Sequence, residues 1–273
     1  MASTTEPQVP ETHQTIDGCA PPSDLADIES LLDRAANSME RGALDDALAD
    51  CGRVIALDAA SVRAHLLRAR VHYEQEDLLA ALDDLDRAIA LCPDSAEALL
   101  WRGVTLEEMG EPQRALADCE RAIALQPDWA AAYYNRGNLR ADQGQVREAQ
   151  QDYARCLELD PGNAAAQHNT GVLHQRRGAF AEALVAYDRA IALDPGYALA
   201  YLNRGEVRAA LGDRIKARED RRRAYDLDPC LRQGPGRPAL PTTKSDGASV
   251  DGMAASGGRA PATSSMREAT DDD

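Results

Sequence analysis

The residues that could do chemistry are few and widely spaced. Cysteines stand at Cys19, Cys51, Cys92, Cys119, Cys156 and Cys230, with no CxxC pair and no histidine at metal-ligand spacing beside one. Cys51 and Cys119 share a column with Leu85, Tyr153 and Tyr187 and read as small core residues. His65 and His72 are seven apart, and His168 and His174 six apart. These imidazoles read as buried or groove-lining groups rather than ligands. No GxxxxGK[ST], GxGxxG, HExxH or GxSxG run occurs. The one patterned polar set is Asn135, Asn169 and Asn203, each 34 residues after the last. Nothing here assembles a nucleophile, a metal site or a cofactor cradle, so the expectation is a non-enzyme with no cofactor.

Charge narrows the partners. The 273-residue chain carries 46 Asp plus Glu against 30 Lys plus Arg, a net charge of −16. Nucleic acid needs a cationic footprint and is not expected. The acidic balance favours cationic or neutral partners. Aromatics are only 4%, which excludes a base-stacking surface. No apolar run approaches the roughly 18 residues of a membrane span, so no membrane insertion is expected. The first twenty residues carry acids, no Lys or Arg and no apolar core, unlike a secretory leader. The expected setting is therefore cytoplasmic and reducing.

The elements that position these residues form a repeat. Pro93, Pro127, Pro161, Pro195 and Pro229 are 34 apart. Ala47, Ala81, Ala115, Ala149, Ala183 and Ala217 keep the same step, as does the column from Arg53 to Arg223. Units therefore run 28–61, 62–95, 96–129, 130–163, 164–197 and 198–231. Each reads as two helices: a glycine such as Gly144 ends the first, and Asp160-Pro161 ends the second. A small column, Ala35, Ala69, Gly103, Gly137, Gly171 and Gly205, lets the paired helices approach closely. Asp50, Asp84, Asp118, Asp152 and Asp220 lie one turn before the Arg53 column and read as surface ion pairs; repeat five has Ala186 there.

Stretches such as AYYNRGNLRADQGQ and REAQQDYARCLELDPGN resemble the tetratricopeptide repeat, and the resemblance spans all six units. It implies an all-α, right-handed superhelical solenoid of antiparallel helix pairs. It also implies a concave groove lined by the first helix of each pair. Carried onto this chain, the groove positions hold Leu66, Leu67, Arg70, Tyr73, Leu100, Trp101 and Val104 in repeats two and three. In repeats four to six they hold Tyr134, Asn135, Asn138, His168, Asn169, Gln175, Leu202 and Asn203. The groove thus has an apolar, aromatic half and an amide half. The Asn135, Asn169, Asn203 ladder resembles asparagines that hold the backbone of an extended peptide, since an amide both donates and accepts. A carboxylate clamp for an acidic chaperone tail is not expected, because Tyr134, Leu199 and Asn203 stand where its cations belong.

The ends frame this stack. Residues 1–22 and 232–273 are rich in Pro, Ser, Thr, Gly and Asp and read as disordered tails around a repeat domain over 23–231. A helix is expected to start at Ser23 or Asp24. Arg218 and Arg221 replace apolar residues in the last helix, which reads as a polar terminal cap on a monomeric stack. Neither tail has room for a further domain. The functional expectation is a non-catalytic adaptor, bacterial by its Arg-over-Lys and Ala-rich usage, that holds a partner's peptide or helix in the groove. The alternatives are an assembly or secretion chaperone and, behind it, a small enzyme or metal-binding protein.

Overall fold

The structure, a computed structural model, describes residues 23–233. The two tails, Cys19 and the proline-rich segments lie outside the described residues. Twelve α-helices form six consecutive pairs: α1 (Ser23–Glu40) with α2 (Leu44–Leu57), α3 (Val62–Glu74) with α4 (Leu78–Leu91), and α5 (Ala96–Glu108) with α6 (Pro112–Leu125). They continue as α7 (Ala130–Asp142) with α8 (Val146–Leu159), α9 (Ala164–Arg176) with α10 (Phe180–Leu193), and α11 (Ala198–Ala210) with α12 (Arg214–Leu227). A short 3₁₀ turn, Pro229–Gln233, packs against α12. The described residues form an all-α solenoid.

Local chemistry sets the boundaries. Ser61, Ser95 and Asn163 cap α3, α5 and α9 by accepting from the backbone N–H three residues on. The turn inside each pair needs one left-handed residue. Gly42, Gly110, Gly144, Gly178 and Gly212 supply it with φ between 73° and 86°. Repeat two has Glu76 there at φ 63°, the one non-glycine among the described residues with positive φ.

Packing inside each pair follows the small columns. The Ala47-to-Ala217 column is buried throughout. A Cβ on Gly137 would lie 2.7 Å from the Tyr153 ring, and one on Gly171 would lie 2.6 Å from the Tyr187 ring. Repeats one and two carry Ala35 and Ala69 in that column, and there the facing residues are the smaller Cys51 and Leu85. At Gly137 and Gly171 the tyrosine ring occupies the space of the missing methyl, whereas Gly103 faces Cys119 and Gly205 faces the backbone of α12.

The aspartate column corrects the sequence reading. Asp50, Asp84, Asp118, Asp152 and Asp220 are 2–6% exposed, not solvated. Each accepts a two-pronged guanidinium from the first helix of its own pair: Arg34, Arg68, Arg102, Arg136 and Arg204. A buried carboxylate must be compensated, and the planar fork does this with two parallel bonds. Of the i,i+3 pairs expected on the surface, Asp50–Arg53 at 3.4 Å is the one within ion-pair range among the described residues. Repeat five lacks both partners of the fork, having Thr170 and Ala186.

Candidate functional site: the face of the first helices

Successive first helices touch one another: α1 with α3, α3 with α5, α5 with α7, and α9 with α11. Second helices make no comparable contact. The stack therefore curves with first helices on the inside, and their free face is the candidate site.

Position along the helix decides which side chains reach that face. The fifth residue of each first helix points between neighbouring helices. Leu66 is 8% exposed, Leu100 and Tyr134 1%, and His168 2%. These four, and Leu67, are core rather than open groove, which corrects their expected role as contact residues. Leu202 is half-buried. Tyr134 packs on Tyr153 with ring centroids 6.1 Å apart.

In repeats two and three the sixth, ninth and twelfth residues form an aromatic cluster. Tyr73 and Trp101 meet edge to face at 5.9 Å, and the Arg70 guanidinium lies 5.2 Å over the Trp101 ring. Trp101, Tyr73 and Val104 are half-buried, so part of each faces the open side. Arg70 is nearly buried, and desolvation lowers its pKa.

This cluster sits beside carboxylates that sequence reasoning missed. The last residue of α1, α3, α5 and α7 is Glu40, Glu74, Glu108 and Asp142, at 34-residue spacing. That spacing was a legible signal. Glu107 stands next to this column, half-buried, and its carboxyl is pushed up to about 7 by burial, then by Asp142 and Glu108. The Tyr73 hydroxyl is pushed up by burial and by Glu108, Glu107 and Glu74. One surface thus gathers these acids around the rings.

In repeats four to six the amides bind one another. Asn135 is 5% exposed and donates to the Ala131 carbonyl of its own helix. Burial pushes the His168 imidazole down to about 4, so it is neutral near pH 7. Asn203 Nδ2 lies 2.9 Å from His168 Nε2 and donates to it, which assigns the ring proton to Nδ1. Nδ1 then donates to Asn169 Oδ1 at 3.0 Å. Asn169 Nδ2 donates to Asn138 Oδ1 at 2.9 Å, and the Tyr153 hydroxyl donates to the same oxygen at 2.8 Å. The Tyr187 hydroxyl donates to Gln175. Of the asparagine ladder expected to grip a peptide, Asn169 and Asn203 enter a directed network joining three repeats, and Asn135 bonds within its own helix. No sequence signal marks this, because the partners come from different units.

The remaining chemistry-bearing residues are structural. His65 Nδ1 pairs with Asp84 at 2.8 Å, and His72 Nε2 lies 4.0 Å from Asp84. Burial pushes Cys51 up to about 11 and Cys119 and Cys156 up to about 12, so these thiols stay protonated. Among the described residues no group of three His, Cys, Asp or Glu is placed to hold a metal ion, and no helix is long and apolar enough to cross a membrane.

The fold and the curved inner face define a helical repeat protein of the solenoid class. Sequence models described as "tetratricopeptide repeat" match residues 96–128 and 134–198, and one described as "TPR repeat" matches 69–110. These matches identify tetratricopeptide repeats within residues 69–128 and 134–198, and the helix pairs of the described residues are consistent with them throughout. No curated protein sequence matches it. Several solved structures resemble it. The pilF protein of Pseudomonas aeruginosa is 18% identical, with 76% of this chain and 94% of that one covered and a TM-score of 0.68. PilW, described as a type IV pilus biogenesis factor, is 21% identical over 76% and 93%, with a TM-score of 0.64. YrrB, described as a TPR protein with an unusual peptide-binding site, is 26% identical over 66% and 97%, with a TM-score of 0.51.

Proposed function

We propose that the chain is an interaction scaffold that holds a peptide segment or helix of a partner protein on the inner face of repeats two to four. The observation that carries this is the half-exposed Tyr73–Trp101 pair with Val104 on the first helices of adjacent repeats. Large rings at the centre of a concave face are the usual anchors of protein interfaces. The peptide-binding site named for YrrB, a relative in fold and at 26% identity, supports the same reading. Contact residues in this reading are Arg70, Tyr73, Trp101, Val104 and Asn138. Leu66, Leu100, Tyr134, Asn135, His168, Asn169 and Asn203 support them. The reading assigns the protein no catalytic step and no cofactor. Its setting is cytoplasmic and its state monomeric. A net charge of −16 opposes a nucleic-acid partner.

The test compares wild-type protein with Trp101→Ala and Tyr73→Ala as bait in native lysate, after circular dichroism shows each is folded. The expected result is a partner captured by wild type, lost with either variant, and recovered as a short fragment. A partner captured equally by all three would overturn the groove reading.

A further inference from the structure

We infer that the occupant of this inner face is a cationic segment of a partner, carrying arginine or lysine at intervals beside an apolar residue. The inference rests on the proposed function and names the chemistry of its partner.

The first ground is position. Glu40, Glu74, Glu108 and Asp142 each close the first helix of their repeat. A helix C-terminus already carries about half a negative charge. Acids there are locally unfavourable, each by roughly 0.3–1 kcal/mol. Four successive repeats break the same rule at the same place. Local rules are broken mostly at functional sites. The carboxylates at these neighbouring helix ends form a negative rim, with Glu74, Glu107 and Glu108 acting on the Tyr73 hydroxyl.

The second ground is that the protein's own cations offset this rim only in part. Arg70 lies over Trp101 and is acted on by Glu97, Glu74 and Glu40 together, one cation among several acids. Arg140 binds Asp152 and reaches Glu120 on the second-helix side. Arg176, which closes α9, lowers the Asp142 carboxyl against the larger effect of burial. Glu107 is raised by burial, then by Asp142 and Glu108, and Asp142 is raised by burial. A negative, partly desolvated face with a half-buried aromatic centre suits a guanidinium or ammonium, which can also stack on the open part of the rings.

The third ground is where the acids stop. The column turns to Arg176 and Ala210 in repeats five and six, the same repeats whose inner amides are bound to each other. Charge and openness thus end together, and the cationic segment spans repeats one to four. Three inter-helix steps of about 10 Å make roughly 30 Å, or about nine extended residues.

The test uses labelled synthetic peptides of about this length, sharing one leucine and carrying arginine, glutamine or glutamate at alternate positions. Their binding is followed by fluorescence anisotropy at physiological salt. The arginine peptide is expected to bind. A Glu74→Gln, Glu107→Gln, Glu108→Gln, Asp142→Asn variant should weaken it tenfold or more. A control variant neutralising four exposed acids on second helices (Asp46→Asn, Asp83→Asn, Glu148→Gln, Glu182→Gln) should leave it within twofold. Arginine-peptide affinity should also rise from pH 6 to pH 8 as Glu107 ionises, and Glu107→Gln should flatten that rise. Equal weakening in both four-site variants would reduce the effect to net charge and overturn the inference. So would the absence of binding by any peptide. A glutamine peptide that binds as well as the arginine one, and is lost in Trp101→Ala, would keep the groove reading and reject the cationic occupant. An arginine peptide lost with the rim acids but indifferent to Trp101→Ala would keep the cationic occupant and reject the aromatic anchor.

Discussion

Repeats two and three differ from repeats five and six in what their inner faces do with polar groups. In the first region, rings and carboxylates face outward around Trp101, and the fork of Arg68 or Arg102 on Asp84 or Asp118 ties the helix pair together. In the second region, repeat five has lost the fork, and the His168–Asn169–Asn138–Asn203 network joins units where an ion pair is missing. The comparison shows two uses of one position. A polar residue there can be held for a partner or spent on holding the stack. The same sequence column supports both, depending on whether a neighbour is within hydrogen-bond reach.

The largest expected break in this comparison is Asp118→Ala. It strands Arg102, which is part-buried and also binds Asp86, and should cost about 3 kcal/mol in urea denaturation. Repeat five already carries alanine at the equivalent place, so Ala186→Ser should change stability by under about 1 kcal/mol. Next comes His168→Ala. It removes the acceptor of Asn203 and the donor to Asn169, and should cost about 2–3 kcal/mol. Partner affinity at the Trp101 face should be unchanged once the variant is folded. An affinity loss comparable to that of Trp101→Ala would erase the distinction between the two regions.

The two regions should also titrate with opposite sign. The folded-state pKa of His168 is depressed to about 4 from 6.5, so the unfolded chain binds the extra proton between those values. Its contribution is present above pH 6.5 and is lost as pH falls toward 4, by up to about 3 kcal/mol. Glu107 is raised to about 7 from 4.5, so the folded state holds the extra proton. Its contribution is present below pH 4.5 and is lost as pH rises through 7. Melting of His168→Asn against wild type should converge on acidification, and Glu107→Gln should gain on wild type as pH rises from 5 to 8. Slopes of the same sign would contradict the assignment. A small effect is expected for Glu76→Gly. It relieves the one left-handed non-glycine among the described residues and should stabilise repeat two by about 1 kcal/mol.

Much of this was legible before any coordinates. The 34-residue columns located every helix pair, and the Gly144 and Asp160-Pro161 signals set its ends within a residue or two. The close approach of the paired helices at the Gly137 column could be read, but the Tyr153 ring that fills it could not. The inner face was less legible. Trp101, Tyr73 and Val104 keep an exposed edge where expected, but Tyr134, Leu100 and His168 are covered. The acidic column Glu40, Glu74, Glu108 and Asp142 is present as spacing, but acids at helix ends look like ordinary solvated surface.

The division has a physical reason. Helix period, caps and turn glycines act within about five residues, so a single repeat already contains them. The unit, its boundaries and the all-α class therefore follow from the order of residues. The burial of Asp152 under Arg136, and of His168 between Asn169 and Asn203, depends on atoms contributed by other helices or other repeats. Those partners come together only when the pairs stack and the inner helices close on one another. Which polar side chains stay open to a partner, and which are consumed in the stack, was settled by that packing.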